Sequence, residues 1–335
     1  MPTADRLIVD ARPHIARSRT RPGEPADVTL INLNLMLAKI NGTFDQQVYT
    51  PLGILYIASC LEQAGANVEF LDYQTFSGAR TFDLKLFMDL VGETADLVGI
   101  SCMSNLVLFS ILCAQQLKKR QPNCKVVLGG VGPSPVARQI VEAFPFVDSV
   151  VEGEGELVMR DFLLTGRVDP VPARRIIRDL DSLPMPAYSL IDHRAYDAAP
   201  SIITSRGCPY QCTFCTEPYN FAGRVSYRSV DSIIEEIELV HALSGRRLFL
   251  FQDDILPINR SRFSRLLEGF RQLSFPIQWK CFSRVDLMGA ELMREMAASG
   301  CVAVAYGIES GSNRTLETIR KGFTIETAYA VSVSS

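Results

Sequence analysis

Arg206-Gly207-Cys208-Pro209-Tyr210-Gln211-Cys212-Thr213-Phe214-Cys215 is the stretch on which the reading of this 335-residue chain turns. Its three cysteines stand four and then three positions apart, on a loop marked by Gly207 and Pro209 and placed directly after a β-rich run. Thiolates at that spacing can converge on one soft metal centre. A zinc knuckle asks for a fourth ligand, and no Cys or His follows before His241. A ferredoxin-type run carries a fourth nearby cysteine followed by proline, and that is missing too. Three thiolates without a fourth suit a four-iron cluster with one iron left open to a chelating group.

Downstream of the loop the chain keeps a βα rhythm. Strands are expected at 201–205, 247–252, 277–282 and 302–307, and helices at 231–243, 260–272, 291–298 and 313–320. Gly300 and Gly322 fit helix stops, and Thr324 reads as the cap of a further helix before the end at Ser335. Residues 200–335 thus hold the first four βα units of a partial, incomplete (β/α) barrel. Four strands leave an unclosed edge, so the sequence reads as cut short.

Upstream lies a second α/β unit over residues 26–164. Strands at 28–32, 68–72, 97–101, 125–129 and 149–152 alternate with helical stretches. One helix is expected to be capped by Thr50, opened by Pro51 and stopped near Gly65; another should begin at Ser134-Pro135. Strands separated by helices pair in parallel, giving a doubly wound sheet whose ligands sit beyond the strand C-termini. Residues 165–199, punctuated by Pro170, Pro172, Pro184 and Pro186, read as a packed connector, and residues 1–25 as a flexible tail.

Composition narrows the partners. Thirty-four Lys and Arg against 37 Asp and Glu give a net charge of −3, which argues against nucleic acid. Nine cysteines are too few for a disulfide scaffold, and the number is odd. The first 25 residues carry Arg6, Arg12, Arg17, Arg19 and Arg21 and no apolar segment, unlike a signal peptide. The uncharged run 97–117 is interrupted by Ser101, Ser104, Asn105, Gln115 and Gln116, unlike a membrane span. A cytoplasmic protein of a reducing compartment, with no membrane partner, is expected.

Cys208-x3-Cys212-x2-Cys215, with the aromatic Phe214 before the last cysteine, resembles the cluster motif of the radical S-adenosylmethionine (SAM) superfamily. The likeness runs over about residues 200–330. It implies a 4Fe-4S cluster whose open iron binds the amino and carboxylate groups of SAM, and reductive cleavage of SAM to a 5′-deoxyadenosyl radical. By that resemblance Cys208, Cys212 and Cys215 are the cluster ligands. Phe214, Asp253, Asp254, Arg284, Glu309, Ser310 and Lys321, near the ends of successive βα units, are the expected SAM contacts. The family's Gly-Gly-Glu after the second strand is replaced here by Gln252-Asp253-Asp254. Cys281 and Cys301 read as core packing, and His241 as a surface or seam residue.

The upstream unit resembles the cobalamin-binding module that precedes some radical SAM domains. Ser101 and Met103 follow the third strand, Gly129 and Gly130 end the fourth, and Ser134 follows. Glycine lets backbone approach a bulky ligand, and the resemblance places the nucleotide tail of cobalamin there. Gly153-Glu154-Gly155-Glu156 is similar to a stretch at the end of such modules, although acidic residues also suit a helix N-terminus. The Asp-x-His-x-x-Gly signature is missing: residues 33–50 hold no histidine, and His14 precedes the fold. The resemblance then implies base-off cobalamin without a histidine ligand.

The function it implies is a cobalamin-dependent radical SAM enzyme transferring a methyl group to an unactivated carbon of a small-molecule substrate. An electron donor such as flavodoxin or ferredoxin would serve it. Two alternatives are a cobalamin-containing radical SAM cyclase or rearrangement enzyme, and an inactive truncated cluster-binding fragment.

Overall fold

Buried apolar runs build the N-terminal half around one sheet. The computed structural model describes residues 15–33, 36–40, 43–75, 82–196 and 199–334. In chain order it places β1 (Ala16–Arg19), β2 (Val28–Asn32), a hairpin of β3 (Met36–Ile40) and β4 (Thr43–Gln47), α1 (Leu52–Gln63), β5 (Val68–Asp72), α2 (Leu84–Val91) and β6 (Leu97–Ser101). There follow α3 (Val107–Arg120), β7 (Lys125–Gly129), α4 (Ala137–Ala143), β8 (Ser149–Val150) and α5 (Glu156–Thr165). The sheet order is β1-β5-β2-β6-β7-β8, parallel except for β1. It reverses direction at β2/β6, the switch point beyond which doubly wound sheets bind ligands. Alternation divides each strand between two layers: Leu30 packs with α1 and α5, whereas Ile31 joins α2, α3 and α4.

The tail expected over residues 1–25 folds from Ala16 onward. β1 runs antiparallel to β5, and Arg19 meets the buried Glu69 at 2.8 Å, with Arg17 at 3.5 Å. Glu69 also accepts from the Thr29 hydroxyl at 3.0 Å. A carboxylate inside a sheet needs such partners, and two arginines read as solvated supply them. Arg6, Arg12 and His14 lie outside the described residues.

Helix starts differ in detail from expectation. Pro51 occupies the cap position of α1 without a side-chain bond, and the Thr50 hydroxyl instead accepts from the Ser201 N–H at 3.3 Å. Ser134 begins a short 3-10 turn rather than capping a helix. Among the described residues no helix is long and apolar enough to cross a membrane, and the uncharged run 97–117 divides between β6 and α3.

The connector is packed: Tyr188, Leu190 and Tyr196 are buried, and the Tyr196 hydroxyl donates to the buried Asp72 at 2.5 Å. Beyond it come β9 (Ser201–Ile202), β10 (Ser205–Arg206), α6 (Glu217–Phe221), β11 (Ser226–Tyr227), α7 (Val230–Ser244), β12 (Leu248–Phe251) and α8 (Arg260–Gln272). The chain continues through β13 (Gln278–Ser283), α9 (Ala290–Ala298), β14 (Cys301–Tyr306), α10 (Asn313–Thr318) and α11 (Ile325–Ser334). A parallel sheet β14-β13-β12-β9 carries the helices. The single strand expected at 201–205 is broken, because β10 leaves the sheet to pair antiparallel with β11. Thr204, at the break, gives its N–H and hydroxyl to Asp253 instead of to a ladder.

Phe251, Phe270 and Trp279 interlock behind this sheet, with Phe251–Phe270 centroids 5.2 Å apart and the Trp279 indole donating to the Ser299 carbonyl. Cys281 is buried as expected, but Cys301 is only half-buried because β14 is the sheet edge among the described residues. His241 lies in a seam, stacked on Phe275 at 3.7 Å. One continuous apolar core joins Leu30, α1 and α5 to Tyr188, Phe251 and Trp279, so the two domains share a packed interior.

Candidate functional site: a three-cysteine loop beside a cavity shared by two domains

β10 ends at Arg206, and Gly207 turns the chain into the cysteine loop at φ +91°. An added Cβ there would lie 2.2 Å from the Arg224 carbonyl oxygen, so only glycine fits. The backbone N–H of Glu217 donates to Cys215 Sγ at 3.4 Å, and that of Tyr210 to Cys208 Sγ. The Cys215 N–H closes a turn onto the Cys212 carbonyl, while the Thr213 N–H reaches the Ile319 carbonyl at 3.1 Å. Burial pushes the free Cys208 thiol up to about 11 and raises Cys215 as well. Metal binding would deprotonate both.

Among the described residues no three His, Cys, Asp or Glu side chains surround a single point as one bound ion requires. A polynuclear cluster instead sets each thiolate on its own iron. Three thiols, two of them receiving backbone N–H groups, fit that donor set.

Around the loop the structure gathers Phe214, Arg284, Glu309 and Lys321. Lys321 Nζ lies 3.2 Å from Glu309 Oε1 and 5.4 Å from the Phe214 ring centroid. The Arg284 guanidinium stacks on Tyr210 at 3.6 Å, pairs with Asp286 and donates to the Lys321 carbonyl. Glu309 holds φ +70° and Arg320 φ +55°. Such conformations carry strain outside glycine and cluster at functional sites. Ser310 accepts from the Ser312 N–H in the adjoining turn.

The two aspartates after β12 part company. Asp253 is buried, accepting from the Thr204 N–H and hydroxyl and from the Ser205 hydroxyl at 2.5–3.1 Å. Its carboxylate is thus engaged by donors of the fold on both oxygens. Asp254 faces the cavity described next; burial, followed by the neighbouring Glu217 carboxylate, pushes it up to about 8.

A cavity of about 370 Å³ opens between the halves. Ser101, Gly129, Gly130 and Ser134 line its sheet side, and Arg206, Gly207, Gln252 and Asp254 the side toward the cysteine loop. Nothing lies within 4 Å of a Cβ added at Gly129, so this glycine leaves room for a bulky ligand. Gly130 acts differently: at φ +97° its Cβ would strike the Cys102 carbonyl at 2.7 Å, so it lets two chain turns meet. Ser134 Oγ donates to the Gly130 carbonyl and accepts from the Gly153 N–H, bracing the rim. Met103 is not in the lining; its backbone abuts Gly132. No histidine lines the cavity among the described residues. The space at Gly129 fits the wide ligand the sequence implied, and Ser101 and Ser134 stand at its edge.

Sequence reasoning missed the charged floor. Arg206 reaches Glu154 and Glu156, each at 2.7 Å, with all three side chains at most 10% exposed. A place at a helix N-terminus accounts for the glutamates by itself, and nothing in the local pattern announces a partner fifty residues away.

Two family models match successive stretches of the chain. The B12 binding domain family matches residues 39–163, and the radical SAM superfamily matches residues 202–331. An uncharacterised methyltransferase of Pyrococcus horikoshii is 30% identical over 300 residues, covering 82% of this chain and 64% of that protein. The anaerobic magnesium-protoporphyrin IX monomethyl ester cyclase of Synechocystis sp. is 26% identical over 319 residues, covering 88% and 63%. The chain therefore spans somewhat under two thirds of these relatives' lengths. The solved cobalamin-dependent S-adenosylmethionine radical enzyme OxsB superposes with a TM-score of 0.72 at 19% identity, covering 92% of this chain and 47% of OxsB. Residues 202–331 thus form a radical SAM superfamily domain, which follows a B12 binding domain at residues 39–163.

Proposed function

We propose that this chain acts as a cobalamin-dependent radical SAM enzyme that methylates an unactivated carbon of a small molecule. One observation carries the reading: a single cavity is bordered by the ligand-binding end of the doubly wound sheet and by the residues leading into the three-cysteine loop. When bound, the cluster supplies the electron that cleaves SAM to a 5′-deoxyadenosyl radical, and the corrinoid supplies a methyl carrier. Cys208, Cys212 and Cys215 would hold the cluster's iron. Lys321 would offer a cationic group suited to the SAM carboxylate, with Arg284 bracing it through the Lys321 carbonyl; Glu309 and Asp254 would accept from the SAM ammonium or ribose, and Phe214 with Ser310 would border it. Ser101, Gly129, Gly130 and Ser134 would border the corrinoid. The work is done in the cytoplasm, with electrons from a flavodoxin or ferredoxin.

Cyclisation or rearrangement with the same two cofactors is the second reading, favoured by the cyclase relative that aligns over 88% of this chain. Anaerobic reconstitution with iron, sulfide and hydroxocobalamin tests both. Cluster and corrinoid absorption, with 5′-deoxyadenosine released by the wild type and not by Cys212→Ala, are expected. A product heavier by one methyl group supports methylation, and an isomer or oxidised product supports the second reading. Cluster absorption without corrinoid overturns both while leaving radical chemistry standing, and a purified protein holding only zinc overturns the whole.

A further inference from the structure

Three segments distant in sequence meet at one guanidinium. Arg206 Nη1 donates to Glu154 Oε1 and Nη2 to Glu156 Oε1, both at 2.7 Å. The second oxygen of Glu154 accepts the Ile177 N–H of the connector at 2.6 Å. The guanidinium also lies 4.8 Å over the ring of the buried Tyr56 in α1. Arg206 therefore touches the upstream domain through α1 and the start of α5, and touches the connector through Glu154.

Neither arm of this contact has slack. Glu154 and Glu156 flank Gly155, where an added Cβ would come within 2.9 Å of Ile57, and Gly153 before them holds φ +75°. Arg206 is followed at once by Gly207, wedged against the Arg224 carbonyl, and then by Cys208. The guanidinium thus sits two residues from the first cysteine, and all three ion-pair members line the shared cavity.

Desolvating two carboxylates and one guanidinium makes this a poor device for stability alone, because apolar residues of similar volume do as well or better. In some proteins buried ionic groups instead impose one arrangement of the parts they join. A planar fork with two acceptors fixes both direction and distance.

We infer that Arg206 is a positioning residue: bridged to Glu154 and Glu156, it holds the cysteine loop at one fixed separation from the ligand-binding end of the doubly wound sheet. The inference deepens the proposed function, resting on it only for what the two ends carry.

The test uses the full chain reconstituted anaerobically with iron, sulfide and hydroxocobalamin, then reduced so that cluster and cob(II)alamin are both paramagnetic. Pulsed electron paramagnetic resonance should read one narrow dipolar coupling between them in the wild type. In Arg206→Met the narrow coupling should be lost to a weaker, broader distribution, while each centre keeps its own signal and stoichiometry. Arg206→Lys should restore the coupling in part, since an ammonium point charge reaches the acids without the two-pronged geometry. An unchanged narrow coupling in Arg206→Met overturns the inference.

Should Arg206→Met fail to fold, Glu156→Gln removes one charged contact, keeps the Glu154 pair, and is read the same way. Should the wild type hold a cluster but no corrinoid, the proposed function fails by itself. The bridge is then read by hydrogen exchange. Loss of protection in residues 151–158 and 205–215 together on breaking it, by about tenfold or more, supports the inference. Loss confined to one segment, or none, overturns it.

Discussion

Gly207 shows how narrowly the cysteine loop is specified. Its left-handed backbone alone costs a non-glycine residue about 1–3 kcal/mol, and the added methyl would lie 2.2 Å from a carbonyl oxygen and 2.9 Å from Phe221 Cβ. Gly207→Ala is therefore expected to lower the melting temperature and to reduce iron content after reconstitution. Iron at the wild-type level would contradict the geometry. Gly129 has the opposite character, because it sits at a strand end with open space before it. Gly129→Leu should leave the melting temperature within a few degrees while weakening hydroxocobalamin uptake by about tenfold or more, since the new side chain occupies the ligand's volume. Equal uptake by wild type and variant, followed by corrinoid absorbance on a desalted sample, would show that the ligand does not use that space.

Among elements, the junction of β11 with α7 hides an ion pair that the helical period could not disclose. Arg228 donates to Glu236, which also accepts from the Tyr188 hydroxyl at 2.5 Å, and none of the three is more than 5% exposed. Removing Arg228 alone strands a buried carboxylate, at a cost of about 3–5 kcal/mol. Arg228→Met is expected to show that loss in urea unfolding, and Arg228→Met with Glu236→Leu to recover most of it. A double variant as unstable as the single one would mean that packing, not charge, decides the site. The same elements explain what the sequence made legible. Buried runs such as Val28–Asn32 and Leu97–Ser101 announce strands by composition, and the cysteine spacing announces a cluster by chemistry. Long-range pairing leaves no such local trace. Adjacent Asp253 and Asp254 share one motif in the sequence, and only the break between β9 and β10, which turns Thr204 and Ser205 onto Asp253, tells them apart. Arg17 and Arg19 read as a solvated tail because only the burial of Glu69 turns them into an edge strand.

At the level of the whole molecule, the apolar interior does not respect the two domains. Leu30, Leu55 and Met159 from the upstream half belong to the same buried cluster as Phe251, Leu266 and Trp279 from the downstream half, and Tyr188 of the connector lies between them. Interfaces that are small and polar leave domains free to move and to unfold separately; a shared core couples them. Heating the full chain should therefore give one calorimetric transition, with calorimetric and van't Hoff enthalpies in agreement. Tyr188→Ala offers the sharpest probe, because this ring is 3% exposed and sits where three segments meet. It should cost about 3–5 kcal/mol, as other large-to-small core changes do, and should shift the single transition downward without splitting it. Two resolved transitions in the wild type, or a Tyr188→Ala profile in which one half melts early and the other is unmoved, would mean that the halves are joined by the connector and not by a common interior. In that case no ion bridge at Arg206 could hold a fixed separation across them, because the surfaces it ties together would themselves be free to part.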